Sequence, residues 1–239
     1  MLQPLSRRVF LALTGSALAA PYLPVGKSAE VPSLLDHILL GCRDLQTGID
    51  YVAERTGVRA AFGGVHPGRG TQNALLSLGE RQYLEIIAPD PAQPDSRNLR
   101  AVSLRMLAEP RLVGWAVHPG PLAVLAKKLQ EAGVAFDGPT PGSRKRPDGR
   151  LLQWQTLELK DDASGLLPFF IEWSTDSLHP SVDAPAGLHL AHFELATPQP
   201  ESLTKTATLL SLDVSISKAD QPQMRATISG SKGKLKLTS

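Results

Sequence analysis

The chain has 239 residues, of which 42% are apolar, 5% aromatic and 20% charged, with 20 glycines and 20 prolines. That length suits one large domain or two small ones with a sizeable core, and no apolar run reaches the roughly 18 residues that a membrane span needs. Charge is nearly balanced, with 25 basic against 23 acidic side chains, so binding gains little from counterion release and a nucleic-acid partner is disfavoured.

The N-terminus reads as a targeting segment. Ser6-Arg7-Arg8-Val9-Phe10-Leu11-Ala12 has the S-R-R-x-F-L-x order of a twin-arginine signal, and an apolar stretch runs from Phe10 to Ala20. Ala17-Leu18-Ala19 supplies a small-x-small cleavage pattern, followed by Pro21. Residues 1–30 are therefore expected to be a signal and linker outside the fold, and the chain is expected in the periplasm. Removing Arg7 and Arg8 leaves 23 basic and 23 acidic residues. The single cysteine, Cys42, makes no intramolecular disulfide, which an oxidising compartment tolerates. The likeness to twin-arginine signals implies folding before export, which would allow a metal to be loaded inside the cell.

Beyond residue 30 the spacing predicts one pattern three times. In the first copy, Leu34 to Cys42 is an apolar strand, and Leu45, Ile49, Val52 and Thr56 fall on one helical face. Gly57-Val58 ends that helix. Ala74 to Leu78 and Gln82 to Ala88 flank Gly79-Glu80-Arg81, a hairpin signal. A Pro-rich connection, Pro89 to Asp95, and a short helix from Leu99 to Ala108 follow.

The second copy starts with the strand Leu112 to Val117. Its helical stripe is Leu122, Leu125, Ala126, Leu129 and Ala132, ended by Gly133-Val134, and its last strands are Gln153 to Leu159 and Pro168 to Trp173. After Pro180 to Pro185 comes a third copy. It has a strand from Leu188 to Ala196, a stripe of Leu203, Ala207 and Leu210, an exit at Leu212-Asp213-Val214, and a hairpin of Arg225 to Ser229 with Lys234 to Thr238. Alternating strands and helices also fit a doubly wound parallel sheet, but hairpins after each helix demand antiparallel pairing. The expected class is α+β, with residues 31–179 as the main domain and 186–239 as a third, partial unit.

Three polar residues interrupt apolar strands: His37 in Leu35-Asp36-His37-Ile38, Glu85 in Tyr83-Leu84-Glu85-Ile86, and Glu172 in Phe170-Ile171-Glu172-Trp173. A carboxylate buried without a partner costs several kcal/mol, so it must be paired, protonated or metal-bound. Glu85 and Glu172 occupy the final strand of two copies, which suggests a shared site. Singly, His37 also reads as a satisfied core histidine, and each glutamate as a solvent-facing edge residue.

These residues, with the string Gly63-Gly64-Val65-His66-Pro67-Gly68-Arg69-Gly70-Thr71-Gln72-Asn73, carry a resemblance to the glyoxalase-like domain family of the vicinal oxygen chelate superfamily. Ser143-Arg144, Pro147-Asp148-Gly149, Leu152 and Trp154 extend it. It covers residues 34 to 174 well and the third copy loosely. The resemblance implies paired βαβββ units forming a curved-sheet cup, with a partial βαββ unit at the C-terminus. It implies a divalent metal held by His37, Glu85 and Glu172. The usual fourth ligand is missing, because Leu112 to Val117 offers none and His118 comes too late in the strand.

Zinc, iron, manganese and nickel all stay open for such an N/O set. The metal would act as a Lewis acid on a small molecule with adjacent oxygens, His66 or Glu172 moving the proton. Asn73, Arg144 and Trp154 would bind substrate, Arg144 through its forked donors, although Arg144 beside Lys145 and Arg146 also reads as part of a solvated loop and Trp154 as a core residue. Gly63 to Gly70 is expected as a tight loop at the cup mouth, since no Gly-Lys-Ser/Thr ending makes it a phosphate cradle. Lys236 stands in the third unit's last strand where a glutamate is expected, which disfavours a second metal there. Isomerase, lyase, ring-cleaving and hydrolytic chemistry all remain open. So does a metal-free protein that only sequesters a small molecule. A homodimer formed through the third unit is a further arrangement left open.

Overall fold

The computed structural model describes residues 30–160 and 165–239. The twin-arginine segment and its cleavage box lie outside the described residues. The first unit comprises β1 (Leu35–Gly41), α1 (Leu45–Thr56), β2 (Ala61–His66), β3 (Thr71–Gly79) and β4 (Gln82–Pro89). A short helix α2 (Leu99–Arg105) leads to the second: β5 (Arg111–Val117), α3 (Leu122–Glu131), β6 (Phe136–Lys145), β7 (Leu151–Leu159) and β8 (Phe169–Trp173). The third contains β9 (His189–Thr197), α4 (Pro200–Leu209), β10 (Ser215–Lys218), β11 (Gln223–Gly230) and β12 (Gly233–Thr238). The short strand β10 adds to the βαββ order expected there.

β1 pairs with β4 in parallel and with β5 antiparallel. The two units therefore share one eight-stranded sheet, ordered β2-β3-β4-β1-β5-β8-β7-β6. The class is α+β with paired βαβββ units, as expected. The sheet curls until its two edges meet: a Cβ at Gly63 or Gly64 of β2 would collide with Arg144 or with the Lys145 carbonyl of β6. Gly63 is an extra residue in β2, because Phe62 pairs with Ala74 and Gly64 with Asn73. This bulge sharpens the bend at the edge. The stretch expected as a loop is thus a strand up to His66, and only Pro67 to Gly70 turn, with Gly68 and Gly70 at positive φ.

Local chemistry sets the helix ends. Asp44 caps α1 by accepting from Thr47 N at 2.8 Å, and Gly57 closes it in the left-handed region at φ 83°. The third unit forms a separate four-stranded sheet, β10-β9-β11-β12, packed against α1. Lys232 N donates to Thr56 O at 3.1 Å, and Gly230 lies so close to that carbonyl that a side chain there would clash. One apolar cluster runs through all three units, with Trp115 of β5 5.0 Å from Phe193 of β9 between ring centroids. Among the described residues no helix is long and apolar enough to cross a membrane.

Candidate functional site

The concave face of the eight-stranded sheet encloses a cavity of about 430 Å³. Strand alternation decides what lines it. From the first unit come His37, His66, Thr71, Asn73, Tyr83 and Glu85; from the second come Arg144, Trp154, Thr156, Phe169, Ile171 and Trp173. Arg69, Arg100 and Glu158 also border it.

His37 owes its setting to a bulge. Leu35 pairs with Val117 and His37 with Ala116, so Asp36 is an extra residue in β1. The Asp36 carboxylate, fully buried, lies 2.7 Å from His37 Nδ1. Burial alone would raise the Asp36 carboxyl, but hydrogen bonds from His179 and His37 and the electrostatic pull of those two rings drive it far below the ordinary carboxylate range. Asp36 is thus an anion, accepts the His37 Nδ1 proton, and leaves Nε2 as the working atom. His37 Nε2 is 3.5 Å from Glu85 Oε2, and its ring stacks on Tyr83 at 4.4 Å.

Glu85 lies on β4, and its Oε1 accepts from Asn73 Nδ2 at 2.7 Å. Burial pushes this carboxyl up, yet the imidazoles of His66 and His37, the Asn73 hydrogen bond and the Arg144 guanidinium together hold it below its ordinary value. Asn73 Nδ2 also sits 3.3 Å from His66 Nε2, and His66 Nδ1 is 2.9 Å from Thr71 Oγ1. An amide nitrogen can only donate, so His66 Nε2 accepts and His66 Nδ1 carries the proton. Burial favours this neutral ring and lowers the His66 pKa, with the Glu85 carboxylate pulling the other way. Both His66 nitrogens are therefore engaged. It lines the cavity as expected but props Asn73 instead of standing ready to move a proton.

Arg144 is on β6, not in a loop. Alternation turns it inward and Lys145 out, and it is 3% exposed. Its Nη1 is buried with no hydrogen-bond partner among the described residues, as is Asn73 Oδ1. Burial lowers its pKa, and Glu85 opposes that. Trp154 forms an apolar wall with Trp173, their ring centroids 5.4 Å apart.

Glu172 departs from expectation. Phe169, Ile171 and Trp173 of β8 face the cavity, so Glu172 points to the other side. There its Oε2 accepts from Leu122 N at 2.7 Å, at the start of α3. Pro121, the residue before that helix, offers no side-chain cap. Glu172 supplies the missing acceptor and a negative charge where the helix dipole favours one. The expected set of His37, Glu85 and Glu172 is not brought together, and Glu172 has no catalytic position.

The remaining donors do not fit a resident metal ion. Among the described residues no group of three or more His, Cys, Asp or Glu side chains is arranged to hold one. The physical reason is visible at each atom. His66 Nε2 and Glu85 Oε1 both face the Asn73 amide, and the buried Arg144 already brings a positive charge. Among the described residues that leaves His37 Nε2 and Glu85 Oε2 together, while Glu158 at the cavity border is not grouped with them, and two is fewer than the three protein ligands usual for a catalytic ion.

Three partners of the site escaped the sequence reading: Asp36, Tyr83 and His179. Asp36 and Tyr83 flank residues already singled out, but strict alternation places Asp36 on the face opposite His37, and only the bulge brings it to the ring. His179 stands in a Pro-rich connection, 143 positions from Asp36, and nothing local marks it.

A model of the glyoxalase-like domain family matches residues 35–210. The structure is similar to that of a hypothetical protein from Staphylococcus aureus, 15% identical, with a TM-score of 0.59 over 85% of this chain and 84% of that one. A weaker likeness, TM-score 0.44 and 21% identity, links 59% of the chain to 87% of a methylmalonyl-CoA epimerase from Mycobacterium tuberculosis. A comparison with curated protein sequences finds no match.

Proposed function

The chain belongs to the glyoxalase-like domain family, and from that premise we propose that its cup binds a small anion with adjacent oxygens and moves a proton on it through His37, without a resident metal ion. One observation carries the reading. An imidazole fixed by Asp36 presents Nε2 beside the Glu85 carboxylate, in the same cavity as a buried arginine whose Nη1 has no hydrogen-bond partner among the described residues.

His37 Nε2 takes a proton from the substrate carbon next to a carbonyl. The electron pair left behind moves onto the carbonyl oxygen, and Arg144 steadies the oxyanion that forms. The imidazolium then lies between two carboxylates, Asp36 and Glu85, both held ionised. Their negative charges face the ring as it takes the proton. Return of the proton to the enolate oxygen completes an enolisation, and its return to the carbon, with solvent exchange at the ring, completes a hydrogen exchange. Trp154, Trp173 and Phe169 keep the far wall apolar, which strengthens these charge interactions by excluding water.

Pyruvate, an anion with adjacent oxygens and exchangeable methyl protons, is a suitable probe. In heavy water the protein should speed loss of the methyl proton signal, and His37→Ala should abolish that. Arg144→Met should weaken pyruvate binding about tenfold or more, the worth of a charge-assisted hydrogen bond. Saturable binding with no exchange in the wild type would remove the enzymatic step and leave the metal-free sequestering protein. A stoichiometric divalent metal in protein purified without a histidine tag, lost in His37→Ala, would overturn the metal-free reading.

A further inference from the structure

Asp36 does more than meet His37. Its second oxygen, Oδ2, accepts from Trp173 Nε1 at 3.1 Å and lies 3.2 Å from His179 Nε2. His179 sits in the connection between the second and third units, just before the 3-10 turn Pro180–Val182. Its tautomer follows from its own contacts. Ser181 N donates to His179 Nδ1 at 3.2 Å, so Nδ1 accepts, the ring proton is on Nε2, and that proton points at Asp36. The ring is 7% exposed and packs edge-on against Trp173 and Tyr83, with centroids 5.5 and 5.6 Å away. His118 Nδ1 also approaches Asp36 Oδ2, but only to 3.6 Å.

Asp36 is an extra residue in its strand, with no regular cross-strand neighbour to hold its side chain. Donors on Oδ2 from two distant segments fix the carboxylate plane, and that plane decides where Oδ1 meets His37 Nδ1. We infer that His179 is a positioning residue: through Asp36 it fixes the tautomer and ring orientation of His37. This rests on His37 being the working group of the cup, and it ties that group to a segment far along the chain. His179 does not border the cavity, so it acts only through Asp36.

The inference is tested on the full chain by ¹⁵N–¹H spectroscopy of the histidine side chains, which needs no substrate. In the wild type His37 should carry its proton on Nδ1, with a far-downfield resonance for that proton. His179→Phe keeps the ring packing but removes the donor, and should lose this resonance and mix the two His37 tautomers. His179→Gln returns an N–H donor and should restore much of the wild-type signature. Pyruvate affinity should change by less than about twofold in either variant, because neither touches the cavity. A His179→Phe protein with an unaltered His37 signature overturns the inference. So does a wild type whose His37 proton sits on Nε2, an outcome readable even if His179→Phe does not fold. Failure of pyruvate to bind or exchange would instead sink the functional reading and leave the spectroscopic result standing.

Discussion

At the scale of single residues, His37 and Glu85 were legible because each breaks an apolar strand, and both face the cup. Asp36 was not, since a period of two hides any residue that a bulge turns. Asp36 also controls stability against acid. Its folded pKa lies below the ordinary carboxylate value of 3.8, so the folded state holds its proton more weakly than the unfolded chain. The resulting stabilisation is full above about pH 5 and drains away as pH falls through and below the ordinary carboxylate range. Asp36→Asn removes the anion that three N–H groups point at. It should cost about 2–3 kcal/mol at pH 7, on the scale of hydrogen bonds to a charged group. The stability gap between wild type and variant should narrow steadily from pH 5 to pH 2 in urea titrations. A gap that stays constant over that range would mean that folding does not lower the Asp36 pKa.

At the scale of elements, what the sequence hid is informative. The two strands it missed in the main sheet, β2 and β6, are its edges. Edge strands need pair on one side only, so they tolerate Gly63 and Gly64 in one, and Pro139 and Pro141 in the other. The same residues read as turn signals in isolation, which is why Arg144 looked like a loop side chain. The central strands β1, β4 and β5 are buried and apolar, and there the reading of the pattern held. Glu172 shows the limit of matching copies by position, since one step along a strand exchanges cup for helix. Its present role predicts an effect on α3 rather than on the cavity. Glu172→Ala should lower stability by about 1 kcal/mol, as loss of a helix N-cap does, while pyruvate affinity stays unchanged. A variant that keeps its stability but loses binding would return Glu172 to the site.

At the scale of the whole molecule, the site joins side chains distant in sequence: Arg144 lies where the edges of the sheet meet, and His179 reaches Asp36 behind the cup from the connection between the second and third units. Repetition revealed the three units, yet it could not show that the third packs on α1 of the first, because Thr56, Gly230 and Lys232 carry no local mark of that contact. The described fold is tied down from its first residues, with Phe193 N donating to Glu30 O at 2.8 Å and Ser33 N to Asp213 Oδ1 at 3.0 Å. Cleavage near Ala20 would leave all of these contacts in place. We therefore propose that the chain folds first and is then exported through the twin-arginine route, a reading supported by Ser6 to Leu11, the Ala17-Leu18-Ala19 box and a fold that needs no disulfide. Protein recovered from the periplasm should begin near Ala20 or Pro21. Arg7→Lys with Arg8→Lys should hold the precursor in the cytoplasm, since that route reads the arginine pair itself and not merely its charge. The retained precursor should still bind pyruvate, because the cup is complete without export. An uncleaved wild type confined to the cytoplasm would refute the export proposal. A retained double variant that binds nothing would refute folding before export.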